Sequence, residues 1–399
     1  LPLVGISVVY PEQLFFALIV ARIVKAGHGD NMRVALGGPQ ITKHIRQIAC
    51  GANAIKYVDF LVAGDGEDPL AMLLDAKNDF SAIPNTYFKN SPGSGFVKSS
   101  GTFHMHPENF PVPDFSGFDL SSYDERLPLL ASKGCLWSRC SFCTYATLNE
   151  KRHLVASVEK ALDTMRTLKD TYGASSFKFV DDALSPSFMK ALAERLVSEK
   201  LNVRWASMII LRREFADPAL CAALRSSGLR NVFIGLESMS ARVLQAMNKY
   251  HKDIPESDIK SILATLKGAG IRVGLFILFG FPSETVEEAR STLNFLLNNR
   301  DIYDTCACQL FCLEEGTPVF DDPGKFSVSK IYLQDKDSGA RLGYRYEVAA
   351  GMNQRQVREF ACTEALNALK KAGISSGLWK WKGVSPGKET SVGKAPACQ

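Results

Sequence analysis

The chain has 399 residues, 46% of them hydrophobic, and 47 Lys and Arg against 42 Asp and Glu give a formal net charge of +5. That length exceeds what one hydrophobic core usually fills, so two or three domains are expected, and the apolar content excludes a chain that stays unfolded. No run of roughly five or six like charges occurs, so neither nucleic acid nor a membrane surface is an expected partner.

The longest apolar run, 273–282 (VGLFILFGFP), is about half the roughly 20 residues a membrane-spanning helix needs and reads as a buried strand. No signal peptide is visible, and the ten cysteines are spread unevenly, which suits a reducing cytoplasm better than a disulfide scaffold.

In chain order, residues 3–9 (LVGISVV) read as a strand leading into a helix over 13–25, whose apolar residues recur at helical spacing. A strand at 33–36 with GGP after it, a helix at 41–49, a strand at 57–62 with GDGE after it and a helix from about Pro69 repeat the unit. Three such units predict a parallel sheet, with Gly37, Gly38, Gly64 and Gly66 at the carboxyl ends of strands, where open sheets of this type bind ligands. Tight turns into helices would explain the same glycines.

Residues 79–126, rich in Pro, Ser, Gly and Asn, read as a connector. Strands then follow at 127–132, 176–180, 203–209, 231–237, 271–280 and 305–313, with helices between them. Six units predict a partial barrel of parallel strands, short of the eight of a complete TIM barrel. After Gly316 the pattern is lost, apart from an amphipathic helix at 354–371 and a flexible polar tail with Trp379 and Trp381. The expected fold class is α/β: a partial Rossmann-like domain at 1–78, a linker at 79–126, a (β/α)6 partial TIM barrel at 127–313 and an extension at 314–399.

The stretch GCLWSRCSFC puts Cys135, Cys140 and Cys143 on the loop after the barrel's first strand. Structural zinc takes four ligands, usually as two short pairs, and no second pair accompanies these; His153 stands alone. A disulfide does not suit a reducing compartment. A plant-type 2Fe-2S centre uses C-x4-C-x2-C but takes a fourth cysteine, and the next, Cys221, lies beyond two strands. The remaining chemistry is a 4Fe-4S cluster on three thiolates, which leaves one iron open to a substrate or cofactor. Cys306, Cys308 and Cys312 form a row along the sixth strand, where core packing is favoured over an auxiliary cluster.

These residues resemble the radical S-adenosylmethionine superfamily, whose members carry a three-cysteine loop after the first strand of a six-unit partial barrel, with an aromatic residue just before the last cysteine. Phe142 stands there. The commonest spacing is C-x3-C-x2-C; the extra residue here is similar to the loop of cobalamin-associated members, some of which mature peptide natural products. VGISVVY, ALGGPQIT and VAGDGEDPL resemble the cobalamin-binding domain often fused ahead of that barrel, although D-x-H-x-x-G is absent. FVDDALSP, WASMIILRRE, GLRNVFIGLESMSARVLQAMNKY and FGFPSETVEEA are similar to the later barrel segments, in order and spacing.

The resemblance implies that Cys135, Cys140 and Cys143 bind three irons while S-adenosylmethionine chelates the fourth, its reductive cleavage giving a 5'-deoxyadenosyl radical with electrons from a flavodoxin- or ferredoxin-type donor. Asp181 and Asp182 stand where relatives receive the methionine ammonium, or else begin a helix. Arg212, or its neighbour Arg213, would pair with the cofactor carboxylate, and Glu237 would hold ribose hydroxyls or the ammonium, or make a structural hydrogen bond. Gly37, Gly38, Gly64 and Gly66 would flank cobalamin.

The function so implied is cobalamin-dependent C-methylation of an unactivated carbon in a natural-product or peptide substrate. Such a carbon offers no lone pair or acidic proton for polar methyl transfer, so a radical route is needed. The alternatives are a non-methylating radical enzyme that cyclises, epimerises or rearranges its substrate, and an iron-sulfur sensor or electron carrier.

Overall fold

The computed structural model describes residues 2–76, 79–91, 93–120, 126–149, 151–333 and 342–378. Trp379, Trp381 and the polar tail lie outside the described residues.

Alternating apolar strands and amphipathic helices produce two main sheets. The first runs, in spatial order, β1 (Leu3–Ser7), β2 (Arg33–Gly37), β3 (Phe60–Val62), β4 (Thr86–Lys89) and β5 (Phe96–Lys98). β1 to β3 are parallel, as the strand and helix alternation predicts; β4 and β5 add antiparallel. Part of the expected connector is therefore sheet. Its Ser- and Gly-rich turn reads as a loop, yet β4 buries Thr86 and Phe88, and Phe80 packs between Phe60 and Phe88. The strand expected from 57 begins only at Phe60, because Ala52–Tyr57 is a helix. The helix expected over 41–49 is two short ones, Pro39–Lys43 and Ile45–Ala49, broken at His44.

The second segment begins with β6 (Leu127–Leu129) and a small antiparallel ribbon of β7 (Ser132–Lys133) and β8 (Leu154–Val155). β9 (Ser176–Phe179), β10 (Arg204–Ile209), β11 (Leu229–Glu237), β12 (Arg272–Phe279) and β13 (Thr305–Leu310) follow, then a hairpin of β14 (Val328–Leu333) and β15 (Tyr344–Val348), and finally β16 (Ser375–Leu378). The second sheet has the order β16-β13-β12-β11-β10-β9-β6, with every neighbouring pair parallel. All six expected strands are present, and β16 from the extension adds a seventh.

β12 is buried along almost its whole length, as expected of a parallel strand covered on both faces. The covering helices are amphipathic: Val158–Tyr172 turns Ala161, Leu162, Met165 and Leu168 inward, starts at a Ser157 cap and stops at the left-handed Gly173. The helix at 354–371 contains a π-turn at Phe360–Ala365, where Phe360 meets Phe279 edge-on at 5.2 Å. Cys306 and Cys308 are buried in the main core, in keeping with a packing role, and Cys312 lies beyond the end of β13.

In the loop after β12, Glu284 Oε2 accepts from the Gly280 amide at 2.5 Å, while Oε1 has no partner among the described residues. Burial pushes this carboxyl up to about 8, against the pull of the Gly280 amide. A carboxyl whose folded pKa lies above its unfolded value stabilises the fold only while protonated, so its contribution is lost as pH rises from about 5 to 8. Glu284→Gln keeps the acceptor without the titration. Its melting temperature relative to the unsubstituted protein should therefore rise between pH 5 and pH 8, read by scanning calorimetry.

Candidate active site

The cysteine loop leaves β7 at Gly134, whose φ of 82° puts an added Cβ 2.1 Å from the Arg152 carbonyl oxygen, so only glycine fits. The loop has no helix or strand of its own up to Cys143 and is fastened to the end of helix Ala241–Met247, after β11. Trp137 Nε1 donates to the Asn248 carbonyl at 2.7 Å, and Asn248 Nδ2 donates to the Arg139 carbonyl at 2.8 Å. Ser141 donates through its amide to Met247 O and through Oγ to Ala246 O, at 2.9 and 2.8 Å. Ser138, inside the longer gap between Cys135 and Cys140, takes a left-handed φ of 46°. The extra residue is thus absorbed as a local bulge.

None of the three thiols is in a disulfide. Burial pushes Cys140 up to about 11 and Cys143 up to about 12; the charge of Cys135 adds to both rises and that of Cys140 to the rise at Cys143. Among the described residues no three His, Cys, Asp or Glu side chains close into a cup for one metal ion. A cubane cluster asks for a wider spread, because its three thiolates bind three different irons. Soft, half-buried donors that stand on one loop without converging on one point fit such a cluster.

Phe142 joins a neighbouring apolar cluster, edge-on to Phe281 at 6.5 Å, and Lys249 Nζ lies 5.9 Å from its ring centre. Asp181 is engaged in the scaffold: its carboxylate accepts from the Ala131 and Ser132 amides and from Ser132 Oγ at 2.6 Å, which clamps β6 to the end of β9. Asp182 makes no such bonds. Burial, then repulsion from Asp181, pushes its carboxyl up to about 7, and Tyr145 feels the charges of both Asp182 and Cys143. Of the two arginines, Arg212 is the inward one: it lies 5.0 Å from the Tyr250 ring centre, pairs with Glu214 at 3.0 Å and keeps a buried Nε without a partner. Arg213 is exposed and pairs with Asp258. Tyr250 in turn meets Trp137 edge-on at 5.2 Å, linking Arg212 to the cysteine loop.

Glu237 ends β11 in the left-handed region, φ 64°, and accepts from Lys249 Nζ at 3.2 Å. Lys249 and Tyr250 were not among the expected site residues; the Asn at the left-handed helix end before them is the signal that marks where the chain turns back.

The glycine turns lie in the first sheet. Gly38, φ 97°, and Gly64, φ 108°, require glycine, whereas Gly37 and Gly66 have room for a Cβ. Asp65 from the second turn forms an ion pair with Lys133 next to the cysteine loop. His44 Nε2 lies 3.7 Å from Glu314 Oε2, and Arg46 lies 3.5 Å from Glu315. The carboxyl ends of β2 and β3 thus face the carboxyl end of the second sheet. In that gap His44 Nδ1 and Glu314 Oε2 are buried without hydrogen-bond partners. Burial, then Lys43, lowers His44 to about 4, so its ring is neutral; burial raises Glu314.

Residues 130–296 match the Radical SAM superfamily profile. The chain therefore carries a radical SAM domain, which implies a 4Fe-4S cluster and S-adenosylmethionine. Over 305 residues the chain is 26% identical to the uncharacterized methyltransferase PH0819 of Pyrococcus horikoshii, spanning 73% of this chain and 63% of that protein. It is 30% identical over 219 residues to bacteriochlorophyllide d C-12(1)-methyltransferase of Chlorobaculum tepidum, 53% of this chain and 46% of that one. The chain thus spans between about half and two thirds of these relatives. Its fold is similar to that of the radical S-adenosylmethionine methyltransferase TsrM from Kitasatospora setae, solved with tryptophan substrate and a cofactor analogue, with a TM-score of 0.70 at 19% identity over 96% of this chain and 81% of that one. A second TsrM structure, with cobalamin and a 4Fe-4S cluster bound, superposes at 0.65, also 19% identical, over 90% and 74%.

After anaerobic reconstitution with iron and sulfide, Cys143→Ala is expected to retain less than half the iron of the unsubstituted protein, because the two remaining thiolates hold a cubane cluster poorly. Cys306→Ala, a core substitution, is expected to retain all of it, as read by iron and sulfide assay.

Proposed function

We propose that the protein is a cobalamin-dependent radical S-adenosylmethionine methyltransferase that acts on an unactivated carbon of a small-molecule or peptide natural product and draws electrons from a flavodoxin- or ferredoxin-type donor. The observation that carries this reading is the facing of two carboxyl-terminal strand edges, one bearing the cysteine loop and the other the Gly38 and Gly64 turns, with unsatisfied buried polar atoms between them. Ligands of parallel α/β sheets bind at such edges. We read the second sheet as the open (β/α)6 barrel of the family and the first as the cobalamin-binding part.

Bound there, the cluster with S-adenosylmethionine would supply a carbon-centred radical and cobalamin a methyl carrier. The chain's own residues hold and orient. Cys135, Cys140 and Cys143 bind the irons. Asp182 is the carboxyl available to the cofactor's ammonium, since Asp181 is engaged by the backbone. Arg212 offers its planar fork and unpartnered Nε to a carboxylate. His44 and Glu314 offer a ring nitrogen and a carboxyl oxygen to the amide-rich rim of a corrin. Among the described residues no helix is long and apolar enough to cross a membrane.

Anaerobic reconstitution with iron, sulfide and hydroxocobalamin tests the reading. About four irons and one cobalt per chain are expected, with S-adenosylhomocysteine formed alongside 5'-deoxyadenosine when substrate is supplied. Irons without cobalt, and 5'-deoxyadenosine without S-adenosylhomocysteine, would move the function to non-methylating radical chemistry. A cluster that leaves S-adenosylmethionine intact would leave an electron carrier. Within the leading reading, His44→Ala and Glu314→Ala should each weaken cobalamin binding about tenfold, the loss of roughly one buried hydrogen bond, in an absorbance titration.

A further inference from the structure

The Lys249 ammonium is built into a narrow place. β11 shifts register against β12 between Gly235 and Glu237, so Leu236 bulges and Glu237 turns into the left-handed region. His251, fully buried and kept neutral, makes a 3.1 Å hydrogen bond from Nε2 to the Leu236 carbonyl, which fixes the bulge. Gly235 has no side chain to spare: a Cβ there would lie 2.6 Å from Glu237 Oε1 and 3.1 Å from Lys249 Nζ. The left-handed Asn248, whose carbonyl and amide fasten the cysteine loop, delivers Lys249 into this space. Lys249 and Glu237 keep only 14% and 13% of their side-chain surface exposed. A glycine, a bulge, a buried histidine and a helix end thus converge on one ion pair beside the loop.

The pair is oriented. Its ammonium lies against the ring of Phe142, one residue from Cys143. Of the pair, the lysine is the member that meets the cysteine loop: its Nζ lies at the ring of Phe142, between Ser141, which residues 246 and 247 hold, and Cys143. We propose that Lys249 is a potential-setting residue: its buried charge stabilises the reduced cluster and raises the potential at which the cluster accepts its electron. This rests on reading Cys135, Cys140 and Cys143 as cluster ligands. The step is a one-electron transfer that takes the cluster from its 2+ to its 1+ state and oxidises an external low-potential donor; no bond forms or breaks and no proton moves. A positive charge in a site of low dielectric favours the more negative cluster.

The test is a redox titration of the reconstituted full chain without S-adenosylmethionine, mediated by dithionite and followed by electron paramagnetic resonance of the reduced cluster. Lys249→Gln should lower the reduced-to-oxidised ratio at a fixed potential about tenfold, a midpoint shift of about 59 mV for one electron. Glu237→Gln should shift it upward, because it removes the opposing charge, and Lys249→Arg should stay near the unsubstituted value. Opposite signs from the two neutralising variants separate a charge effect from a general disturbance of the loop. An unchanged midpoint in Lys249→Gln, or a downward shift in Glu237→Gln, overturns the inference while leaving the cluster in place. If Lys249→Gln does not hold iron, Glu237→Gln and Lys249→Arg decide it alone. An unsubstituted protein that takes up no iron overturns the cluster reading and this inference with it.

Discussion

The site depends on hydrogen bonds that cross between two β/α units. The cysteine loop has no regular structure to hold its thiols, and four bonds from Trp137, Ser141 and Asn248 tie it to residues 246–248 at the end of a helix in another unit. Net worth is about 0.5–1.5 kcal/mol for each such bond, so the anchorage is of the order of the stability of a small structural element. The thiol geometry is thus inherited from the helix after β11. A second tie runs from the Val319 amide to the Ser141 carbonyl, bringing the segment after β13 into the same support.

The buried charges around this loop follow one rule: each is paired or engaged by the backbone, or its pKa moves until it is neutral. Asp181 is held by two amides and a hydroxyl, Lys133 by Asp65, and Lys249 by Glu237. Asp182, His44 and Glu314 take the second course and move toward neutrality, while the Nε of Arg212 is left without a partner; these four stand on the segments that follow strands of the two sheets. Buried polar groups left without partners are where a polar ligand gains most by supplying them.

Much of this was legible in the sequence. The cysteine spacing singled out the loop, and hydrophobic periodicity located all six strands of the second sheet because parallel strands read as unbroken apolar runs. Boundaries and hairpins were less visible. β4 and β5 are short, and their turn composition suits a loop as well as a hairpin. Which of Arg212 and Arg213 points inward depends on a 3-10 turn at Arg213–Ala216 that has no distinct periodicity. Lys249 was hidden for another reason: its importance lies in what Gly235 and Leu236, fourteen and thirteen residues earlier, and His251, two residues later, do to the backbone, and no local pattern encodes that convergence.

The two sheets contribute unequal kinds of order to the gap between them. The second sheet has the larger core, continuous through Phe177, Phe179 and Trp205, and its candidate site residues sit on strand ends and on a stapled loop. The leading sheet has a smaller core, which takes in Leu342 from the segment between β14 and β15, and also reaches across through the side chains of Asp65, His44 and Arg46. Radical chemistry needs the reacting atoms held close and water kept out, since a carbon radical reacts with whatever it meets first. On the function proposed above, the two facing edges would meet both demands, the stapled loop holding the thiolates and the leading sheet covering them. The Asp65 to Lys133 contact is the most direct tie between the two, because it joins the GDGE turn to the strand from which the cysteine loop departs.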